Sequence, residues 1–238
     1  MLPQHEVSGD LMLDAARLAE DAGLDSVWLI DHLIGRPKVV GGPARPILEC
    51  WTALSAVGAA TSRVSVGTLV LRVGLRRPRV LASMAATLAN ICSNRLIIGL
   101  GIGDETNAYE HSALGLGFKT RSDRLVDLDQ TIESLTTVAP QVPLWIGGGS
   151  EALMRRAATV AGWNWWGSAE QMQERLDRFR DISAGSALVS WAGHWPGVKA
   201  LENLAAMGVD HVIVSTGSVN FRERIAALSA CAGYPPGV

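Results

Sequence analysis

The feature that most constrains this chain is the alternation, almost from end to end, of short apolar runs with longer helix-patterned segments. Such alternation favours a parallel sheet whose strands are joined by crossover helices. The first helix shows the logic. Ser8 can cap it, Leu11, Ala15, Leu18 and Ala22 recur at spacings of three and four, and Gly23 supplies the left-handed residue on which helices end. Ser26-Val27-Trp28-Leu29-Ile30 follows as a strand too uniformly apolar to be half exposed. Further strands are expected at 64–71, 96–100, 144–147, 162–166, 187–191 and 209–215. Helices are expected over 47–60, from Pro78 onward, over 122–138, and near Glu151, Gln171, Lys199 and Arg222.

Met1-Leu2-Pro3 reads as the stub of one more strand at the front. Eight units make a closed (β/α)8 TIM barrel, whereas six or seven would also permit an open doubly wound sheet. The barrel is the expectation, with a truncated first strand as its weakest point. That strand must pair on both sides to close the cylinder, so either the native chain begins upstream or the seam is short. No linker or composition break divides residues 1–238, and a single domain is expected. The longest irregular stretch, 34–46, carries Gly35, Pro37, Gly41, Gly42, Pro43 and Pro46. It follows the strand at 26–30, where barrel enzymes keep active-site loops.

Hydrophobic residues make up 48% of the 238 and charged residues 18%, which places the chain among globular proteins. A net charge of -2 gives no global attraction to nucleic acid or to an anionic membrane. The N-terminus lacks the basic start and apolar run of a signal peptide, and no apolar stretch reaches the roughly 18 residues that span a bilayer. Cys50, Cys92 and Cys231 are odd in number and widely spaced, so reduced thiols are expected rather than a disulfide frame or a metal site. The expected address is the cytoplasm.

Residues just past strand ends carry a barrel's chemistry. Asp31-His32 follows the strand at 26–30. His32 can serve as an acid or base tuned by a neighbouring carboxylate, or can simply be a mouth histidine bonded to a backbone carbonyl. Gly99-Leu100-Gly101-Ile102-Gly103-Asp104-Glu105 lacks the glycine that a dinucleotide fingerprint needs at Asp104. Its spaced glycines either admit a flat ring, with Gly101 in contact, or ease the strand out of the barrel. Gly147-Gly148-Gly149-Ser150 opens a helix and suits a phosphate, as does the competing turn Ser215-Thr216-Gly217-Ser218. Arg72, Arg76, Arg77 and Arg79 crowd a helix start that disfavours cations. A cofactor tail, an acidic neighbour or plain solvation would each account for them. Trp163 and Trp165 share one side of a strand, opposite Trp166; one set packs under helices and the other can wall a ring pocket.

With these residues in view, the sequence resembles the luciferase-like monooxygenase family, which includes FMN-dependent monooxygenases and oxidoreductases that use coenzyme F420. The matching phrases are AARLAEDAGLDSVWLIDHL, SRVSVGTLVLRVGLRRP, LASMAATLANICSNRLIIGLGIG, VPLWIGGGS and GVDHVIV, in the family's order. The resemblance implies that His32 stands near the reactive face of the ring, with Asp31 beside it. It implies that Leu69-Val70 supports the ring, often through a non-proline cis peptide. It further implies that Asp104 is an acid working with the histidine, and that Gly147, Gly148, Gly149 and Ser150 grip the cofactor phosphate. A homodimer through helices near the second and third strands is expected on the same ground.

The departures are a shortened excursion before 142–147 and a brief segment from 185 to 197. Both excursions help cover the active site in the family. The leading expectation is F420-dependent hydride transfer to or from a small organic substrate, with His32 and Asp104 catalytic and the arginine cluster drawing the acidic tail. FMN-dependent oxygen activation is the alternative. A third reading is a non-catalytic flavin-binding barrel, or one completed by a partner chain.

Overall fold

The computed structural model describes residues 1–231 apart from 36, 40, 41, 186 and 218. Gly41 of the long loop and Ser218 of the second phosphate turn lie outside the described residues. Among those described, seven parallel strands stand side by side in chain order. They are β1 (Ser26–Leu29), β2 (Ser65–Arg72), β3 (Leu96–Gly101), β4 (Leu144–Gly147), β5 (Gly162–Trp166), β6 (Leu188–His194) and β7 (His211–Ser215). Around them run α1 (Gly9–Asp21), α2 (Cys50–Ala60), α3 (Pro78–Ile91), α4 (Ala108–Ala113), α5 (Arg121–Val138), α6 (Glu151–Ala157), α7 (Met172–Ser183), α8 (Val198–Ala206) and α9 (Phe221–Cys231). The result is a TIM barrel with a short seam. No helix among the described residues is long and apolar enough to cross a membrane.

Local signals act as the sequence implies. The Ser8 hydroxyl accepts from Leu11 N, and Gly23 takes a φ of 77° just past α1. Pro78 occupies the first turn of α3. The helix expected from 47 instead starts at Cys50, because the Glu49 carboxylate accepts from Trp51 N at 3.0 Å and Thr52 N at 2.7 Å and fixes the cap there. The short helix α4 has no counterpart in the sequence reading; too few turns are present for a periodicity to show.

The barrel seam lies between β1 and β7, and the front stub bridges it. Leu2 N donates to Trp28 O at 2.9 Å, while Met1 N donates to Val214 O at 2.6 Å. Thr216 Oγ1 adds a bond to Met1 O at 2.9 Å. Beyond the stub, the Gln4 side chain substitutes for backbone: its Oε1 accepts from Ile30 N at 2.6 Å, and its Nε2 donates to Ile30 O at 3.0 Å and Leu48 O at 3.1 Å.

Inside the barrel, Trp28, Leu69, Trp145, Ala192 and Ile213 form a core separate from the larger one beneath the helices. The Trp28 and Trp145 rings lie 4.9 Å apart, tilted by 31°. Two glycines make room for these indoles. A Cβ on Gly67 would fall inside the Trp28 ring, and one on Gly162 would sit 2.9 Å from Trp145 Cδ1. Gly67→Ala is therefore expected to destabilise the fold by about 1–3 kcal/mol through overpacking. Urea unfolding checks this, and an unchanged midpoint would show that Trp28 can swing aside freely.

Candidate active site

A cleft of 810 Å³ opens at the C-terminal ends of the strands, and all ten residues singled out from the sequence line it. They are Asp31, His32, Leu69, Val70, Gly101, Asp104, Gly147, Gly148, Gly149 and Ser150. Their side chains are not equally available, and that difference decides what each can do.

His32 is held by an acid that the sequence reading did not find. Its Nδ1 lies 3.1 Å from Glu110 Oε2. The same carboxylate accepts from Ile34 N at 2.9 Å and from Leu33 N, and pairs with Arg72 Nη1 at 2.8 Å. Burial opposes ionisation of Glu110. Bonds from His32, Leu33 and Ile34 and the charge of Arg72 outweigh it, holding the carboxyl at about 2. A carboxylate only accepts, so Nδ1 carries the hydrogen of that bond and Nε2 is the nitrogen left for chemistry. The His32 side chain is 28% exposed against 4% for Glu110, which places the histidine at the surface of the cleft and the acid behind it.

Asp104 lines the cleft with its carboxylate engaged locally. It is exposed, and its Oδ1 accepts from Thr106 N at 2.9 Å and from the Thr106 hydroxyl. Asn107 Oδ1 accepts in turn from Asp104 N at 2.9 Å, completing a cap on the 3₁₀ turn Glu105–Asn107. That turn leads into α4, which carries Glu110. Asp104 thus starts the segment that delivers the acid.

The Asp31 carboxylate is also committed elsewhere. Arg76 grips it through both oxygens, at 2.9 and 3.1 Å, and Arg72 N donates to it at 3.0 Å. Its side chain is 0% exposed, so it offers the cleft no free oxygen. Arg76 also reaches Glu49 at 2.6 Å. The arginine cluster is therefore answered largely by acidic neighbours: Arg72 by Glu110, Arg76 by Asp31 and Glu49, with Arg77 and Arg79 exposed. Acidic neighbours thus account for Arg72 and Arg76.

The Leu69–Val70 peptide is cis, as the resemblance implied. It places Val70 where two glycines lack side chains: a Cβ on Gly147 would lie 2.5 Å from Val70 Cγ1, and one on Gly101 would overlap Val70 Cγ2. Gly101 and Gly147 thus make room for Val70 itself. Gly148 has a φ of +124°, and a Cβ there would sit 2.5 Å from Leu153 Cδ1. At the start of α6, Ser150 Oγ accepts from Arg121 Nη2 at 3.0 Å, putting an exposed cation beside the glycine turn.

On the opposite wall, Trp163 is buried against Phe179 with ring centroids 4.6 Å apart, whereas Trp165 reaches the cleft beside Gly149. Trp166 is 46% exposed and meets His194 edge-on at 5.6 Å, both in the cleft wall. His194, Arg121 and Glu110 sit in segments with no spacing that marks them, so only the folded chain identifies them.

Comparison with known proteins agrees with this architecture. An uncharacterised protein of Mycobacterium tuberculosis is 27% identical, with 84% of this chain and 82% of that protein covered. An F420-dependent glucose-6-phosphate dehydrogenase of Nakamurella multipartita is 30% identical over 63% of this chain and 50% of its own length. Among solved structures, the coenzyme F420-dependent tetrahydromethanopterin reductase of Methanopyrus kandleri superposes with a TM-score of 0.76 at 14% identity, covering 96% of this chain and 95% of that one. The monooxygenase RslO1 of Streptomyces bottropensis gives 0.71 at 15% identity, covering 95% of this chain and 93% of that one. The profile of the luciferase-like monooxygenase family matches residues 3–188. On that match, across most of the barrel, the chain belongs to the luciferase-like monooxygenase family of oxidoreductases.

Proposed function

We propose that this protein is a coenzyme F420-dependent oxidoreductase that moves a hydride to or from a small organic substrate. The observation that carries the reading is His32, fixed through Nδ1 by a buried, ionised Glu110, with Nε2 left to hold or give a proton. The cleft suits a ring cofactor. Its volume of 810 Å³ falls in the usual range for such sites, Leu69 and Val70 line it, and Arg121 stands beside the glycine turn. Gly149, Ser150 and Arg121 would hold a phosphate, and Leu69 and Val70 would support the ring. A bound deazaflavin supplies two-electron hydride chemistry.

His32 Nε2 would stabilise the substrate oxygen or return a proton to it as the redox change occurs. Glu110 keeps the ring oriented through its bond to Nδ1. The choice of F420 over FMN rests on the names of the relatives, several of which are F420-dependent dehydrogenases. A homodimer through α2 and α3, where Val80 and Ile91 remain about half exposed, and one undivided domain belong to the same reading.

Fluorescence titration with F420 and with FMN tests it. Quenching by F420 supports the reading; binding of FMN alone would replace it with the oxygen-activating one, and binding of neither would sink both. Arg121→Ala is expected to weaken F420 binding roughly tenfold or more, the usual weight of a hydrogen bond to a charged group. An unchanged Kd would move the phosphate to the turn after β7. Gly148→Val is a poorer probe, since its φ and Leu153 would disturb the backbone before any ligand arrived.

A further inference from the structure

At the other end of the barrel, away from the cofactor cleft, Ser26 opens β1 and His211 opens β7. These strands face each other across the seam without pairing to one another. Ser26 Oγ lies 2.7 Å from His211 Nε2, and Trp28 Nε1 donates to the same oxygen at 2.6 Å. The indole can only donate, and in the Nδ1–H tautomer of His211 the Ser26 hydroxyl donates to Nε2. The imidazole is held in place edge-on by two indoles, Trp28 at 6.0 Å and Trp145 at 5.4 Å between ring centroids. A cavity of 260 Å³ opens onto both Ser26 and His211, with Leu201, Val212 and Leu228 among its apolar walls and Asp25 beside them. The pair thus lines a cavity at the barrel floor.

We propose that Ser26 and His211 form a second, cofactor-independent catalytic site, in which Ser26 takes the acyl group of short-chain esters and His211 acts as the base. Burial depresses the basicity of His211 more than the charge of Asp25 restores it, so the imidazole is neutral near pH 7 and able to accept a proton. Ser26 Oγ bonds to the ester carbonyl carbon while its proton passes to Nε2. The C–O bond to the alcohol then breaks, and the proton on Nε2 leaves with the alcohol. Water attacks the acyl-serine next, giving its proton to Nε2; the acid departs and the hydroxyl is restored. The Trp28 N–H stabilises the serine oxygen while it is without its proton, and Asp25 favours the transient imidazolium. The cavity is below the roughly 300 Å³ at which drug-sized sites begin, which limits the acyl group to a few carbons.

Labelling the full chain with diisopropyl fluorophosphate, followed by intact-mass and peptide analysis, tests the proposal alongside hydrolysis of p-nitrophenyl acetate. The expected result is one adduct on Ser26, absent from Ser26→Ala, and hydrolysis lower by roughly 10²–10⁴-fold in Ser26→Ala and His211→Phe. An unlabelled Ser26, or hydrolysis equal in Ser26→Ala and the parent, overturns it. Should His211→Phe fail to fold, the labelling and the Ser26→Ala variant decide the matter by themselves.

Discussion

His32→Ala is expected to fold normally and to lose roughly 10²–10⁴-fold in turnover with F420, the usual worth of a positioned acid–base group. Folding should survive because the ring stands at the cleft surface, 28% exposed, and contributes to no part of the hydrophobic core. Turnover should fall because no other described group shares its combination of features. Its Nδ1 is satisfied by Glu110, and its Nε2 is the remaining donor or acceptor at the mouth. Steady-state kinetics with a melting curve on the same preparation makes the test. Undiminished turnover in a folded variant would take His32 out of the mechanism and leave His5 or His194, which also line the cleft, as the groups to try next.

The second large effect is on stability. Glu110→Ala leaves Arg72, 5% exposed, as a buried cation with its carboxylate gone, and strips Leu33 N and Ile34 N of their acceptor. Breaking a buried pair from one side costs about 3–5 kcal/mol. The pH dependence has a definite sign. The folded Glu110 carboxyl sits at about 2 against an ordinary value of 4.5. Its stabilisation is therefore complete above pH 4.5 and drains away as pH falls from there toward 2. The gap between parent and variant should thus be widest at neutral pH and narrow on acidification. Glu20, held at about 2 by bonds from Arg63, Val64 and Ser62 against the pull of burial, titrates in the same window. It does so in both proteins and cancels from the difference. Urea melts at pH 7 and pH 3 measure the two gaps; equal gaps would mean that Glu110 is not ionised in the fold. Because Glu110 orients His32, turnover of the variant should fall as well.

Much of this architecture is legible in the residues because its causes are local. A helix buries one stripe and a strand inside a barrel buries both faces, so period and apolarity report the elements within a few residues of their bounds. At the start of α2 the bound moved because the Glu49 side chain caps it. The stub at the front, Met1-Leu2-Pro3, was legible too. Met1 and Leu2 bond to the strands on either side of the seam, and Gln4 lends its amide to Ile30 and Leu48 in place of backbone.

By itself the sequence determined the alternation that makes a barrel, the strand ends that face the cleft, and the positions of His32, the Leu69–Val70 corner and the glycine turn. The tertiary structure alone decided which charge meets which. Glu110 reaches His32 from 78 residues away, on the helix that follows the turn capped by Asp104 and Asn107. Asp31 and Arg76, both conspicuous in the sequence, neutralise one another. Periodicity records whether a side chain is buried, since that is settled by its own helix or strand. The partner of a buried charge depends on how distant segments converge, and no local pattern encodes it.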